Sequence, residues 1–200
     1  MRVLPTLVLV SASPRRLQIL QQAGFTPEVA PLDVEELSGG LEAEALVLQN
    51  SQRKLAASPL LGKPNRVLIA ADTVVVLGGE ILGKPRDAVA AKKMLGDLSG
   101  VEHRVITGLV LRYGEKSCGF AVSTRVVFRS ISPQEIEAYI ATKEPYDKAG
   151  GYGIQGVSSL FVEKVEGCFL NVMGFPLKEF LVNLGKLTDT FPFDWVRPHE

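Results

Sequence analysis

The sequence predicts an α/β protein built on a mixed β-sheet with flanking helices. Three observations point there. Short, wholly apolar runs at Leu7 to Val10 and Val67 to Ala71 read as interior strands. Segments with apolar residues spaced by three and four, bounded by caps and glycines, read as helices between them. Gly78-Gly79, between apolar stretches, reads as a hairpin turn, so antiparallel neighbours accompany the strand–helix units.

Along the chain, the first strand runs into Ser13-Pro14. A serine suits an N-cap and a proline the first helical position, and Gly24 closes the helix carrying Leu17, Ile19, Leu20 and Ala23. Residues 32–41 are acidic and predict a loop, followed by a helix over about 42–57. The strand at 67–71 continues through Val74 to Leu77 and turns into 80–82. Asp87 caps a helix that ends at Ser99-Gly100. Two longer strands follow, about 102–112 and 120–128. Ser132-Pro133-Gln134-Glu135 is a capping box opening a helix with Ile136, Tyr139 and Ile140 inside. After a Gly-rich loop over 144–156, residues 159–165 and 169–172 predict a hairpin turning at Glu166-Gly167. Pro176 opens a last helix, with Gly185 as its stop, and residues 186–200 form a C-terminal tail beyond a single domain spanning 1–185.

Composition limits the function classes. The chain has 200 residues, 46% hydrophobic and 22% charged, which fits one folded domain and excludes a disordered or disulfide-scaffold protein. Lys+Arg and Asp+Glu are both 22, so general nucleic-acid binding, which draws on excess basic charge, is disfavoured. Cys118 and Cys168 lack a CxxC context and read as buried thiols of a reducing, cytoplasmic compartment. No apolar run approaches the ~18 residues of a membrane helix, so no membrane partner is expected.

Four segments carry candidate chemistry. Ser11-Ala12-Ser13-Pro14-Arg15-Arg16 joins a strand end to a helix N-terminus, where free N–H groups, hydroxyls and guanidinium groups could cradle phosphate. It reads equally as a capped helix with a solvated arginine pair. Asp72 sits inside the apolar run 67–77, and burying an unpaired carboxylate is costly. It is therefore at a strand end or bend bonded to loop N–H groups, or matched by a cation or metal in a cleft, where it could hold Mg²⁺ or activate water. Lys54 and Lys84 lie near element ends; each alone reads as a surface lysine, but with Arg15, Arg16 and Asp72 they make the set that triphosphate chemistry needs. Glu144 to Gly156 places three glycines around Tyr152 and a planar amide at Gln155, suited to close ligand approach and to a base edge. Walker, GxGxxG, GxSxG and HExxH motifs are absent from the sequence.

Assembled in order, these segments resemble the Maf family of nucleoside triphosphate pyrophosphatases. The likeness rests on Ser11 to Arg16, Ala71-Asp72-Thr73, Gly83-Lys84-Pro85, Leu98-Ser99-Gly100 with His103, Thr124 to Phe128, Glu144 to Gly156, and Asn171 to Leu177. Val10, Met173 and Phe175 depart from the family pattern, and residues 186–200 have no counterpart in its motifs.

The resemblance implies an elongated mixed sheet with two lobes around a deep cleft, like the inosine triphosphatase fold. It implies hydrolysis of a nucleoside triphosphate to monophosphate and pyrophosphate with a divalent metal, Mg²⁺ or Mn²⁺, and a homodimer. Asp72 matches the proton acceptor; Arg15, Thr73 and Gln155 match positions linked to substrate choice. Arg16, Glu36, Lys54 and Lys84 match the other charged cleft residues. The catalytic set is then Asp72, Lys54 and Lys84, the phosphate-binding set Ser11, Ser13, Arg15 and Arg16, and the metal ligands Asp72 and Glu36. The Tyr-Gly-Ile-Gln-Gly form is similar to the subgroup acting on dTTP and UTP. A purine or methylated-guanine pyrophosphatase, and a nucleotide-binding regulator of septum formation, are the competing readings.

Overall fold

The computed structural model describes residues 4–196. Seven strands form one mixed sheet: β1 (Thr6–Leu9), β2 (Glu28–Val29), β3 (Arg66–Leu77), β4 (Glu80–Leu82), β5 (Glu102–Tyr113), β6 (Lys116–Phe128) and β7 (Val162–Glu166). The spatial order is β2-β1-β3-β5-β6-β7, with β4 also on β3. β2, β1 and β3 are parallel; β3, β5, β6 and β7 are antiparallel in succession. Among the described residues, six helices flank them: α1 (Pro14–Gln22), α2 (Ala43–Ala56), α3 (Ala88–Leu98), α4 (Pro133–Ala141), α5 (Phe169–Val172) and α6 (Leu177–Thr188).

The side-chain alternation of β3 sorts the core onto two faces. Val67, Ile69 and Ala71 join a cluster with Ile19 and Leu20 of α1 and Phe180, Leu184 and Leu187 of α6. Leu68 and Ala70 instead meet Leu55 of α2, and Val74 and Val76 meet its Leu46 and Val47. On the first face, Val75 continues into a second cluster with Leu95, Leu98, Ile136, Tyr139, Tyr152 and Phe161. Asp72 therefore points to the α2 face, and Thr73 to the α1 face.

One edge of β3 is lined throughout by β5, from Val67 to Val76. The other edge is shared. β1 pairs with it at Arg66 to Ile69 and β4 at Val75 to Leu77. Among the described residues, positions 70–74 have no strand beside them on that edge. This interruption, where β1 ends and α1 begins, is where the functional residues gather. Open α/β sheets place ligands at such points, beyond the carboxyl ends of their strands.

α2 is seated closely because of one glycine. Gly108 of β5 lies opposite Asp72 in register. A Cβ there would come within 2.8 Å of Val47 Cγ2 and 2.9 Å of the Val47 carbonyl carbon. Ser51 Oγ also donates to the Gly108 carbonyl at 3.0 Å.

Several expectations are corrected. Of the two readings of Asp72, the strand-end or bend reading is the one set aside: β3 runs unbroken through it, and the carboxylate is matched by a cation. The predicted hairpin does not form. Residues 157–161 are a 3₁₀ turn and Phe169–Val172 is a helical turn. The reason lies in β6: Thr124 Oγ1 accepts the Cys168 N–H and donates to the Cys168 carbonyl, fixing the start of a turn rather than a strand. Gly185 does not stop α6, which continues to Thr188 and ends at Asp189 in the left-handed region. Gly185 is instead small for the returning tail, since a Cβ would meet Pro192 Cγ at 3.0 Å and the Thr190 carbonyl oxygen at 3.1 Å. The tail packs on the domain: Trp195 is buried and donates Nε1–H to Thr190 Oγ1. Residues 197–200 of that predicted tail lie outside the described residues. β2 escaped prediction, and Cys118 and Cys168 are free and half-buried. Among the described residues, no helix is long and apolar enough to cross a membrane.

The Gly108 contact gives a direct test. Gly108→Ala should cost about 1–3 kcal/mol by overpacking against helix backbone, read as a lower midpoint in urea unfolding. It should also lower activity beyond that loss, because α2 carries Lys54 and Asn50.

Candidate active site

A cleft of about 750 Å³ opens at the interrupted edge of β3. Its walls include all ten site residues expected from the sequence: Ser11, Ser13, Arg15, Arg16, Glu36, Lys54, Asp72, Thr73, Lys84 and Gln155. Glu35, the neighbour of Glu36, is not among the lining residues.

The floor is the carboxylate of Asp72, whose side chain is only 8% exposed. Its Oδ1 accepts from Lys54 Nζ at 2.8 Å and its Oδ2 from Asn50 Nδ2 at 2.9 Å. Both donors lie on α2, one turn apart, on the face that rests on the sheet. Lys54 Nζ also bonds Glu36 Oε1 at 2.5 Å, so two carboxylates converge on one ammonium. Asn50 ties down the loop carrying Glu36: its Oδ1 accepts the Leu37 N–H and its Nδ2 donates to the Leu37 carbonyl. Asn50 was not legible from sequence. Its one signal was a polar amide inside a helix, four residues before Lys54.

On the opposite face, Arg16 is buried, with four of its five N–H donors engaged. Its Nε donates to the Gly174 carbonyl, Nη1 to Ser11 Oγ and the Ala71 carbonyl, and Nη2 to Thr73 Oγ1, at 2.9–3.1 Å. Burial pulls its pKa down, while Asp72 and Glu36 oppose that shift. The structure thus uses Arg16 to brace β1, β3 and the 174 loop, with most of its donors turned into protein rather than to the cleft. Both arginines line the cleft, but they stand in it differently. Arg15 is the one presented: Nη1 reaches Asp147 Oδ2 at 3.1 Å, across the mouth of the cleft.

The far wall is the Gly-rich segment 144–156, anchored by Tyr152. Its ring packs edge-on against Phe128 and His103, and its hydroxyl is 2.6 Å from His103 Nε2. Gly150, at φ +68°, lies so close to Val75 that a Cβ would be 3.0 Å from it. This fixed backbone displays Gln155, exposed at the rim. It also supplies Lys148, a cleft cation not among the expected site residues; its Nζ bonds Asp147 and the Glu144 carbonyl. Lys84 is exposed on the same rim, after β4.

The donor set suits a hard divalent cation. Asp72 and Glu36 offer carboxylate oxygens about one point, where Lys54 now sits. Among the described residues no group of three His, Cys, Asp or Glu side chains could hold a metal alone. Such a cation would need phosphate oxygens to complete its shell, as Mg²⁺ sites commonly do.

The buried His103 yields a pH prediction. Burial lowers its pKa to about 4, with the Val101 backbone opposing. Between that value and about 6.5 the unfolded chain binds the extra proton. Stability is therefore complete above about pH 6.5 and falls as the pH drops toward 4, by about 3 kcal/mol at most. His103→Gln should flatten that part of a stability-against-pH curve.

Comparison with known proteins places the chain. The family model described as Maf-like protein matches residues 6–187. A protein of Anaeromyxobacter dehalogenans is 43% identical over 199 residues, 97% of this chain and 99% of its own. One of Exiguobacterium sibiricum is 45% identical, covering 86% of this chain and 87% of its own. One of Geotalea uraniireducens is 42% identical, covering 94% and 97%. Each is named dTTP/UTP pyrophosphatase. A solved structure of the Staphylococcus aureus Ham1 protein aligns with a TM-score of 0.46 at 16% identity, over 78% of this chain and 79% of its own. With its model matched from the first strand to the last helix, the chain belongs to the Maf-like protein family.

Proposed function

We propose that this protein hydrolyses dTTP and UTP to the nucleoside monophosphate and pyrophosphate. The observation that carries the reading is the buried carboxylate of Asp72, held by Lys54 and Asn50 at the floor of a cleft whose rim bears Arg15, Lys84 and Lys148. The named relatives support the substrate class.

The chemistry follows from these positions. Ser11, Ser13, the free N–H groups at the start of α1 and Arg15 take phosphate oxygens. Lys84 and Lys148 neutralise the rest of the triphosphate from the opposite rim. Asp72 orients a water and accepts its proton as the oxygen attacks the α-phosphorus; the bond from that phosphorus to the bridging oxygen breaks, and pyrophosphate leaves. A divalent cation, Mg²⁺ or Mn²⁺, bound by Asp72 and Glu36 together with substrate oxygens, would supply charge neutralisation for the departing pyrophosphate. Lys54 bridges the two carboxylates until then. Gln155 faces the base, where an amide can pair with a donor flanked by acceptors, as on uracil and thymine.

The test is pyrophosphate release from UTP, dTTP, CTP, ITP and 7-methyl-GTP, with and without Mg²⁺. UTP and dTTP should lead, and EDTA should abolish turnover. Asp72→Asn should retain the fold and lose about 10²–10⁴-fold in kcat, the usual worth of a general base. Turnover of purine nucleotides alone, or full activity in Asp72→Asn, would refute the assignment. Asn50→Ala, which frees the Glu36 loop, should lower kcat by about tenfold, the scale of one lost charge-assisted hydrogen bond, with secondary structure intact by circular dichroism.

A further inference from the structure

Asp147 holds two cations at once, and neither wall of the cleft depends on it. Its Oδ2 accepts from Arg15 Nη1 at 3.1 Å and its Oδ1 from Lys148 Nζ at 2.5 Å. Arg15 belongs to the first turn of α1, and Asp147 to the Gly-rich segment 132 positions on. All three residues line the cleft, so the bridge crosses its mouth. One cation on each carboxylate oxygen is also the pattern in which two oxygens of a phosphate group are taken.

Each wall is fixed by other contacts. Arg16 ties α1 to Ser11, Ala71, Thr73 and Gly174. The Gly-rich wall is clamped by Ser158, fully buried, whose Oγ accepts the Gly153 N–H at 3.0 Å and donates to the Gly153 carbonyl at 2.5 Å. The Gly150 N–H adds a bond to the Gly83 carbonyl at 2.9 Å. None of these bonds passes through Asp147. Its side chain is the most exposed of the three in the bridge, so turning it into water costs little. Lys148 Nζ would still have the Glu144 carbonyl, at 2.6 Å. A brace is made of buried bonds; this bridge is made of bonds open to exchange.

We infer that Asp147 is an internal competitor of the substrate: its carboxylate stands in for a phosphate between Arg15 and Lys148, yields both cations to an entering polyphosphate, and takes them back as pyrophosphate leaves. This rests on the triphosphate reading above. A polyphosphate brings more charge and more oxygens than one carboxylate, so it wins the exchange. A site whose cations are engaged part of the time binds its ligand more weakly, in proportion to the fraction in which they are free. The same factor weakens the hold on the product, so Asp147 exchanges tight binding for release.

The experiment measures the Kd of inorganic pyrophosphate by titration calorimetry with Mg²⁺ present, and the KM for UTP, in the unaltered protein, Asp147→Asn and Asp147→Glu. Asp147→Asn keeps the shape and removes the charge, so Kd and KM should both fall by about fivefold, the scale of one exposed ion pair. Asp147→Glu keeps the charge and should stay within about twofold of the unaltered protein. In an Arg15→Gln background, adding Asp147→Asn should tighten pyrophosphate by only about twofold, because one contested cation is gone. Unchanged or weaker binding in Asp147→Asn overturns the inference, and weaker binding would make Asp147 a brace. An equal tightening in Asp147→Glu overturns it too, as does an undiminished gain in Arg15→Gln, which would assign the effect to the general field of the rim. Failure of the unaltered protein to release pyrophosphate from UTP or dTTP would instead overturn the function proposed above, and this inference with it.

Discussion

A carboxylate in the middle of a buried strand is the constraint around which this structure is arranged. Asp72 has apolar residues before and after it on β3 and is almost closed to solvent. Leaving its charge unpaired would cost several kcal/mol, more than most side-chain contacts return. Lys54 and Asn50 meet it from α2, so α2 must lie at one fixed height over the sheet. Gly108, opposite Asp72 on β5, sets that height by offering no side chain. The site and the packing of the longest helix are thus one problem with one solution. Lys54 carries the same constraint outward, since its second carboxylate, Glu36, belongs to a loop that Asn50 holds in place.

The interrupted edge of β3 explains why two faces of one sheet can serve a single cleft. Asp72 and Thr73 are neighbours in sequence and point in opposite directions, one to α2 and the other to α1. Within a continuous sheet they would be separated by a wall of strands. Here β1 has ended and β4 has not yet begun, so both side chains reach the opening. The Ala71 carbonyl records the same geometry. It accepts from Arg16 Nη1 at 2.9 Å, on one face, and from Lys54 Nζ at 3.3 Å, on the other. Cations thus supply donors where no neighbouring strand runs.

What the sequence reveals and what it hides divide along the range of the interaction. Ser132 and Glu135 cap each other within one turn, and the capping box forms as expected. Gly78-Gly79 turns β3 into β4 because both glycines adopt positive φ. These are decided within four residues. Residues 169–172 are equally apolar as strand or helix, and the choice is made by Thr124, more than forty positions away. Gly185 has the identity of a helix stop, but its role is set by Pro192 folding back on it. At the site the residue types were legible, because Asp in an apolar run and paired arginines beside a strand end are locally anomalous. Their orientation was not, since it depends on which carbonyls happen to lie opposite. Asn50 shows the extreme case: its meaning lies wholly in Leu37 and Asp72.

Arg15 and Arg16 show how adjacency in sequence can separate function. Successive residues on a helix point about 100° apart, so one side chain turns into the fold when the other faces the opening. Arg16 reaches four acceptors on three different segments, a pattern that suits the planar fork of guanidinium and that a lysine, a compact point charge, could not reproduce. Its charge stays buried beside Asp72, to which it contributes field rather than contact. Arg15 bonds Asp147, whose side chain is 62% exposed. An ion pair that open to water is worth little and is exchanged at little cost, so a phosphate can displace Asp147 where it could not displace Gly174, Ala71 or Thr73 from Arg16. The same reasoning extends to Lys148, which shares Asp147 and stands on the opposite rim. One acidic side chain thus holds two of the three rim cations, Arg15 and Lys148, together across the cleft mouth, while Lys54, deeper in, is held by two. The strength of cation pairing rises with depth, and the groups easiest to free are the ones a highly charged ligand would meet first.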